Sequence, residues 1–277
     1  MKNQKTITKQ INLQGKGIHS GKNVRLSFRP ADTDTGIFFK RIDLKNQPVI
    51  RCSTLNFGSQ DRRTTIEENG FQVNTIEHLM AALWALEIDN VEVDIDAEEL
   101  PALDGSSKDF FDALERAGIK EQGKKREIIT IKNPIWYDYG ESFIGVFPSK
   151  AFKVSYVLEE NIESIKRQAY SKEVDKKIFY EEIAPARTFC LKKEAEMLLK
   201  MGYGKGADFS NTLIMDETGP VQSTLRFKDE PVRHKVLDLL GDLYILNRPL
   251  VGRVIGIRSG HKLNAELVKK IGTEYLK

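Results

Sequence analysis

The chain is poor in the residues that most often staple or anchor a protein. It has two cysteines, Cys52 and Cys190, and no CxxC pair, which excludes a disulfide framework and a thiolate zinc site. No apolar run approaches the roughly 18 residues of a membrane span. The opening segment, MKNQKTITKQINLQGKG, lacks the apolar stretch of a secretion signal. Neither sign of charge dominates: 43 Lys and Arg face 40 Asp and Glu, and a net charge of +3 is too small to mark a nucleic-acid binder. No short-period repeat or low-complexity tract is present. These absences together point to a cytoplasmic protein with no transmembrane segment. Histidine is scarcer still, with only His19, His78, His234 and His261. Any imidazole chemistry must draw on those.

What is present is ordinary globular material: 40% apolar and 30% charged residues over 277 positions. That length favours two domains of about 120–150 residues each. The first half is strand-rich. KTITKQINL and NVRLSFRP flank a glycine-punctuated loop, QGKGIHSGK, and RRTTIEENGFQV folds as a hairpin turning at Glu68-Asn69-Gly70. TIEHLMAALWALE predicts a helix capped by Asn74 or Thr75, with Ile76, Leu79, Met80, Leu83 and Leu86 inward. SSKDFFDALERAG predicts another, opened by a capping box of Ser106 and Asp109. The charged stretch KEQGKKR, residues 120–126, has no apolar period and marks the boundary between domains 1–122 and 127–277.

The second half restarts with the strands EIITIK, SFIGVFP and FKVSYVLEE. A helix around 172–182, a helix over 191–201 ending at Gly202, and a strand at 212–216 follow. After the helix PVRHKVLDLLGDL, residues 231–243, come the strand LVGRVIGIRS and a last helix after Gly260. Strand and helix mixed in each half predict α+β layers and not a doubly wound sheet.

The chemistry starts on the 231–243 helix. His234, Asp238 and Asp242 follow one another at four-residue steps, so they share a face about 6 Å apart. Such a stripe reads either as a solvated polar face or as two metal ligands awaiting a third. Glu77 and His78 are adjacent on the first helix and so point about 100° apart. They can still flank one point, with the imidazole on a metal and the carboxylate on its water. The plainer reading is a solvated Glu77 and a hydrogen-bonded, partly buried His78.

His78, His234 and Asp238 together would form a two-histidine, one-carboxylate zinc site with one position open, the ligand count of catalytic zinc. Such a site polarises a carbonyl and acidifies bound water to a pKa near ~7. Glu77 would take the proton of that water. His261, which opens the last helix, would act as the acid, with Asp242 beside it favouring the protonated ring. For His261 a capping or surface role is the alternative.

In this order and at these distances, TIEHLMAAL, PALDGSS, ARTF, VRHKVLDLLGDL and SGH resemble the UDP-3-O-acyl-N-acetylglucosamine deacetylase family. The resemblance runs from GKGIHSG to the final helix. It implies a zinc enzyme, with ferrous iron as the other metal it could carry, performing the committed deacetylation of lipid A synthesis. The implied fold is α+β: two similar two-layer α/β sandwich domains packed with the active site between them, here as a monomer.

The resemblance puts the zinc ligands on His78, His234 and Asp238, the base on Glu77, and the acid on His261 oriented by Asp242. It puts an oxyanion-stabilising hydroxyl on Thr188, substrate-binding cations on Lys235 and Arg258, and a residue near the nucleotide on His19. For the two cations, ordinary surface charge is the alternative. The family also has an acyl-chain passage built by an insert after ARTF, here about residues 190–220, with Phe189 as the preferred lining residue. Asp104 in ALDGS is read either as a partner of a ligand or as a turn and helix-entry residue. Cys190 stands where the family often has glycine.

Overall fold

A computed structural model of the chain describes residues 2–60 and 62–276. The first half runs through β1 (Asn3–Ile7), β2 (Ile11–Lys16), β3 (Asn23–Pro30), β4 (Ile37–Arg41) and β5 (Val49–Arg51). Then come β6 (Phe57–Gln60), β7 (Arg63–Glu68), β8 (Phe71–Asn74) and the helix α1 (Glu77–Leu86). β9 (Val91–Ile95), α2 (Lys108–Arg116) and β10 (Ile119–Lys125) follow.

The second half opens with β11 (Ile129–Thr130), β12 (Ile135–Tyr139), β13 (Ser142–Phe147), β14 (Lys153–Leu158) and β15 (Gln168–Glu173). The single turn α3 (Lys176–Ile178), β16 (Phe189–Leu191), α4 (Lys192–Lys200), β17 (Leu213–Asp216) and β18 (Gly219–Pro220) come next. The chain continues through α5 (Glu230–Leu243), β19 (Leu250–Val251), β20 (Arg253–Ile257) and α6 (His261–Tyr275).

Each half builds a five-stranded sheet of the same plan, in the orders β2-β3-β9-β4-β5 and β12-β13-β20-β14-β15. In both, a hairpin pairs antiparallel with a central strand, which runs parallel to the next strand. That central strand, β9 or β20, follows a helix, so α1 and α5 are equivalent elements. The α+β layered class predicted from the sequence is the class found. The likeness between halves lies in topology, which explains why no sequence repeat announces it.

Helix α1 buries every residue except Trp84. An amphipathic stripe is therefore too narrow a description: the helix is packed against both α2 and α5 and needs an apolar surface on more than one side. The seam between the helices is closest at Gly241, where an added β-carbon would overlap the Glu77 backbone carbonyl. Glycine is needed there for the approach itself.

Several local expectations are corrected. Neither Asn74 nor Thr75 caps α1: Ile76 holds the cap position without a side-chain bond, Asn74 bonds Thr65 at 2.7 Å, and Thr75 bonds Glu99 at 3.3 Å. The Ser106–Asp109 capping box is not formed. Ser107 is at the cap position of α2, and its hydroxyl instead donates to the His78 carbonyl at 2.7 Å. Residues 120–126, which lack an apolar period in the sequence, lie largely within β10, which pairs antiparallel with β1 as far as Lys125. A lone pairing edge does not need an apolar period. The helix expected around 172–182 is present but starts later: β15 runs to Glu173, and the helical segment covers α3 and continues as a π-helix over Phe179–Ile183. The hairpin at Asn69-Gly70 is present, with both residues at positive φ (55° and 79°), as is Gly202 just beyond α4 at φ 89°.

Candidate active site

The facing helices carry the cluster. His78, on α1, and His234 and Asp238, one turn apart on α5, are all buried, and their donor atoms lie within 4.8 Å of one another. His234 Nε2 is 3.3 Å and His78 Nε2 3.7 Å from Asp238 Oδ1, and the two rings meet edge to face at 5.0 Å. His234 Nδ1 sits 3.0 Å from the Ala186 carbonyl, an acceptor that requires the proton on Nδ1. That tautomer leaves the Nε2 lone pair directed at the cluster.

Burial keeps both rings neutral. It lowers His78 to about 3, with His234 beside it adding to the effect, and it lowers His234 as well. Asp238 stays ionised well below the usual carboxylate range because His234 and Lys235 outweigh its burial. Two neutral imidazoles and a carboxylate form the donor set a divalent cation requires. The residues fit the metal.

Beside the cluster stand two buried titratable groups, Glu77 and His261. Glu77 is 3% exposed, and burial raises its carboxyl to about 7. Its Oε2 accepts the Thr64 backbone N–H at 3.1 Å. His261 opens α6 with Nδ1 3.0 Å from Asp242 Oδ2. Burial opposes charge on that ring, but Asp242, by charge and by hydrogen bond, raises it to about 9. A base near neutral and an acid above it are the pair that amide hydrolysis needs.

Ten of the eleven residues singled out in the sequence line one cleft of about 560 Å³: His19, Glu77, His78, Thr188, Phe189, His234, Lys235, Asp238, Arg258 and His261. Asp242 lies behind His261, fully buried. Lys235 is not ordinary surface charge. Its ammonium donates to Asp238 Oδ2 at 2.6 Å and lies 5.7 Å from the centre of the Phe189 ring. Arg258 is at the rim, paired with Glu141 at 2.6 Å. His19 packs edge-on against Tyr203 at 5.2 Å, and its loop is pinned by Glu99, which accepts the N–H groups of His19 and Ser20 at 2.8 Å each. Asp104 has the turn role: it accepts from Ser106 and pairs with Arg226 at 2.8 Å.

Sequence reasoning missed Thr64, Asn264, Tyr203 and Arg62. Thr64 and Asn264 both hydrogen-bond Asp242, while Tyr203 and Arg62 line the cleft. Asn264 carried a legible signal, since it stands three residues after His261 on the same helix face. A threonine inside a strand carries none.

The fold and the site fit the class of metalloenzymes, with three buried donors flanked by a buried carboxyl and a buried imidazole. Comparison with known proteins gives the particular family. The family described as UDP-3-O-acyl N-acetylglycosamine deacetylase matches residues 4–273. A protein of Thermodesulfovibrio yellowstonii named UDP-3-O-acyl-N-acetylglucosamine deacetylase is 40% identical over 268 residues, covering 97% of this chain and 91% of that one. Proteins of the same name from Geotalea uraniireducens and Bdellovibrio bacteriovorus are each 39% identical, covering 97% of this chain and 88% and 89% of theirs. The chain belongs to the UDP-3-O-acyl-N-acetylglucosamine deacetylase family. No helix among the described residues is long and apolar enough to cross a membrane.

Proposed function

We propose that the chain removes the acetyl group from UDP-3-O-acyl-N-acetylglucosamine, the deacetylation step of lipid A synthesis. The products are acetate and the free 2-amine. Zinc, or ferrous iron in its place, would be held by His78, His234 and Asp238. One observation carries the reading: three buried donors from two facing helices converge where Glu77 and His261 also point. A cation bound there supplies a polarised acetamide carbonyl and a more acidic water.

The chain's own residues do the rest. Glu77, with its carboxyl near 7, takes a proton from the attacking water. Thr188, half-buried in the cleft wall, would donate its hydroxyl to the carbonyl oxygen as charge develops there. His261, kept protonated by Asp242, passes its Nε2 proton to the departing nitrogen. Lys235 sits against Asp238 at the floor, so Arg258 is the cation better placed for the diphosphate. Phe189 and the 190–220 insert line the acyl-chain passage, and His19 faces the nucleotide side. Residues 1–122 and 127–277 are read as the two domains. The chain is read as a cytoplasmic monomer.

The deciding assay is acetate release from the UDP-sugar before chelation, after it, and after zinc is restored. Activity should vanish with the chelator and return with the metal. Glu77→Ala should keep about one metal per chain and release no acetate. Full activity in that variant, or in the chelated protein, removes the reading.

A further inference from the structure

Thr64 lies in β7, is 0% exposed, and touches both proton-transfer groups. Its backbone N–H donates to Glu77 Oε2 at 3.1 Å. Its hydroxyl donates to Asp242 Oδ1 and lies 3.1 Å from His261 Nδ1. Asp242 thus has an oxygen for each neighbour group: Oδ1 takes Thr64, while Oδ2 takes His261 and the Asn264 amide at 2.8 Å.

Thr64 comes from the first half of the chain, whereas Asp242, His261 and Asn264 come from the second. The threonine is itself held firmly. Its carbonyl accepts the Thr75 N–H at 2.8 Å, and the next residue pairs with Asn74 across the β7–β8 hairpin. A β-branched side chain in a strand has few rotamers, so the hydroxyl position follows from the backbone.

We infer that Thr64 is a positioning residue for this hydrolysis, one that fixes the Glu77 carboxylate and the Asp242–His261 pair relative to each other across the two halves. It touches no substrate. With one Glu77 oxygen tied to the strand, the other is left to face the water. With Asp242 Oδ1 occupied, the carboxylate plane is set and the His261 ring with it. The hydroxyl is amphoteric: it donates to the carboxylate and offers a lone pair to the His261 Nδ1–H, so the ring is steered from two sides. Charge-assisted hydrogen bonds of this kind are the directional ones.

This inference rests on the deacetylase reading, and the test separates the two. Acetate release is measured for wild type, Thr64→Val, Thr64→Ala and Thr64→Ser, each checked for metal content and melting. Val conserves the shape without the hydroxyl, and Ala serves if Val does not fold. Positioning predicts that Val or Ala lowers kcat about 10- to 100-fold, the size of a lost hydrogen bond to a charged group, with KM within about twofold. Ser should recover most of the loss. The proposal is overturned if Val or Ala keeps kcat within about threefold of wild type, or if Ser is as impaired as they are. A wild-type protein that releases no acetate would instead refute the deacetylase reading. The His261 Nδ1 proton resonance then decides on Thr64: a shift in Val but not in Ser supports the bond, and no shift overturns it.

Discussion

Each half of the molecule interrupts its sheet plan at the same place, between the fifth strand and the seam helix, and the two insertions are used in opposite ways. In the first half the insertion is the three-stranded β6-β7-β8 sheet, which buries Phe57, Thr64, Thr65, Ile66 and Val73. In the second half it carries β16, α4, β17 and β18, and α4 buries no residue at all, with Met197 and Leu199 more than half exposed. Both reach the cleft, where Arg62 of one pairs with Glu194 of the other at 2.8 Å. Dense packing holds the groups that must not move during proton transfer. The second insertion has its own small core of Leu191, Leu213 and Met215, and its sparse packing is that of α4, the part proposed to meet the substrate chain.

The largest effect should come from the dense side. Glu77→Gln removes the base but keeps its shape, and acetate release should fall about 10²- to 10⁴-fold. Stability should not fall with it. Burial raises the folded carboxyl from its ordinary value of 4.5 to about 7, so the folded state binds more protons between those values and wild-type stability declines as pH rises through that window. Gln carries no such penalty, and the variant should melt at or above wild type at pH 8. A variant both inactive and markedly less stable would show that Glu77 holds the seam together and is not only the base.

Gly241→Ala tests the seam directly. A β-carbon there meets the Glu77 backbone, so α1 and α5 must part. Overpacking of this sort costs about 1–3 kcal/mol, and metal content and turnover should both drop, since the donors sit on opposite helices. Wild-type melting and metal content would show that the seam has slack.

The pH profile sharpens the same side. With Glu77 as the base and His261 as the acid, as proposed, activity should rise through about 7 and fall through about 9. Asp242 is what raises His261, so Asp242→Asn should move the falling limb to lower pH while leaving the rising limb nearly in place. A flat profile between about pH 5 and 10 contradicts both assignments.

On the rim, Arg258→Ala should raise KM about tenfold with kcat nearly unchanged, the mark of lost uniform binding. Its pairing with Glu141 is solvent-exposed and of little worth for stability, so melting should not change.

The contrast also explains what could be read in advance. Helices α1 and α5 announce themselves by period, and the shared face of His234 and Asp238 on α5 follows from helical spacing, which leaves open whether it is a polar face or a ligand pair. His78 as a third ligand stays open on the residues alone, with a hydrogen-bonded, partly buried histidine as the alternative, because nothing local ties α1 to α5; the family resemblance favours the ligand. Thr64 and Gly241 were silent. One acts through a strand hydroxyl and the other by having no side chain, and neither property leaves a pattern in a single sequence. The caps expected of Asn74 and Thr75 failed for a related reason, since those side chains answer to Glu98 and Glu99, 24 residues away, whereas Ser106 is held locally by Asp104.

The smallest expected effect lies on α4. Leu198 lines the cleft from a helix with no buried residue. Replacing it by alanine leaves little cavity, because the surrounding structure is open, and melting should shift by no more than about 0.5 kcal/mol equivalent. Substrate choice should respond more than stability does. A methylene in an apolar pocket is worth about 1 kcal/mol, so losing the leucine side chain should change the relative kcat/KM of acyl substrates differing by two to four carbons by about tenfold. Glu77→Gln would lower all of them alike. If Leu198→Ala instead lowered every substrate equally and destabilised the fold, α4 would belong with the dense insertion, and the division between the two would fail.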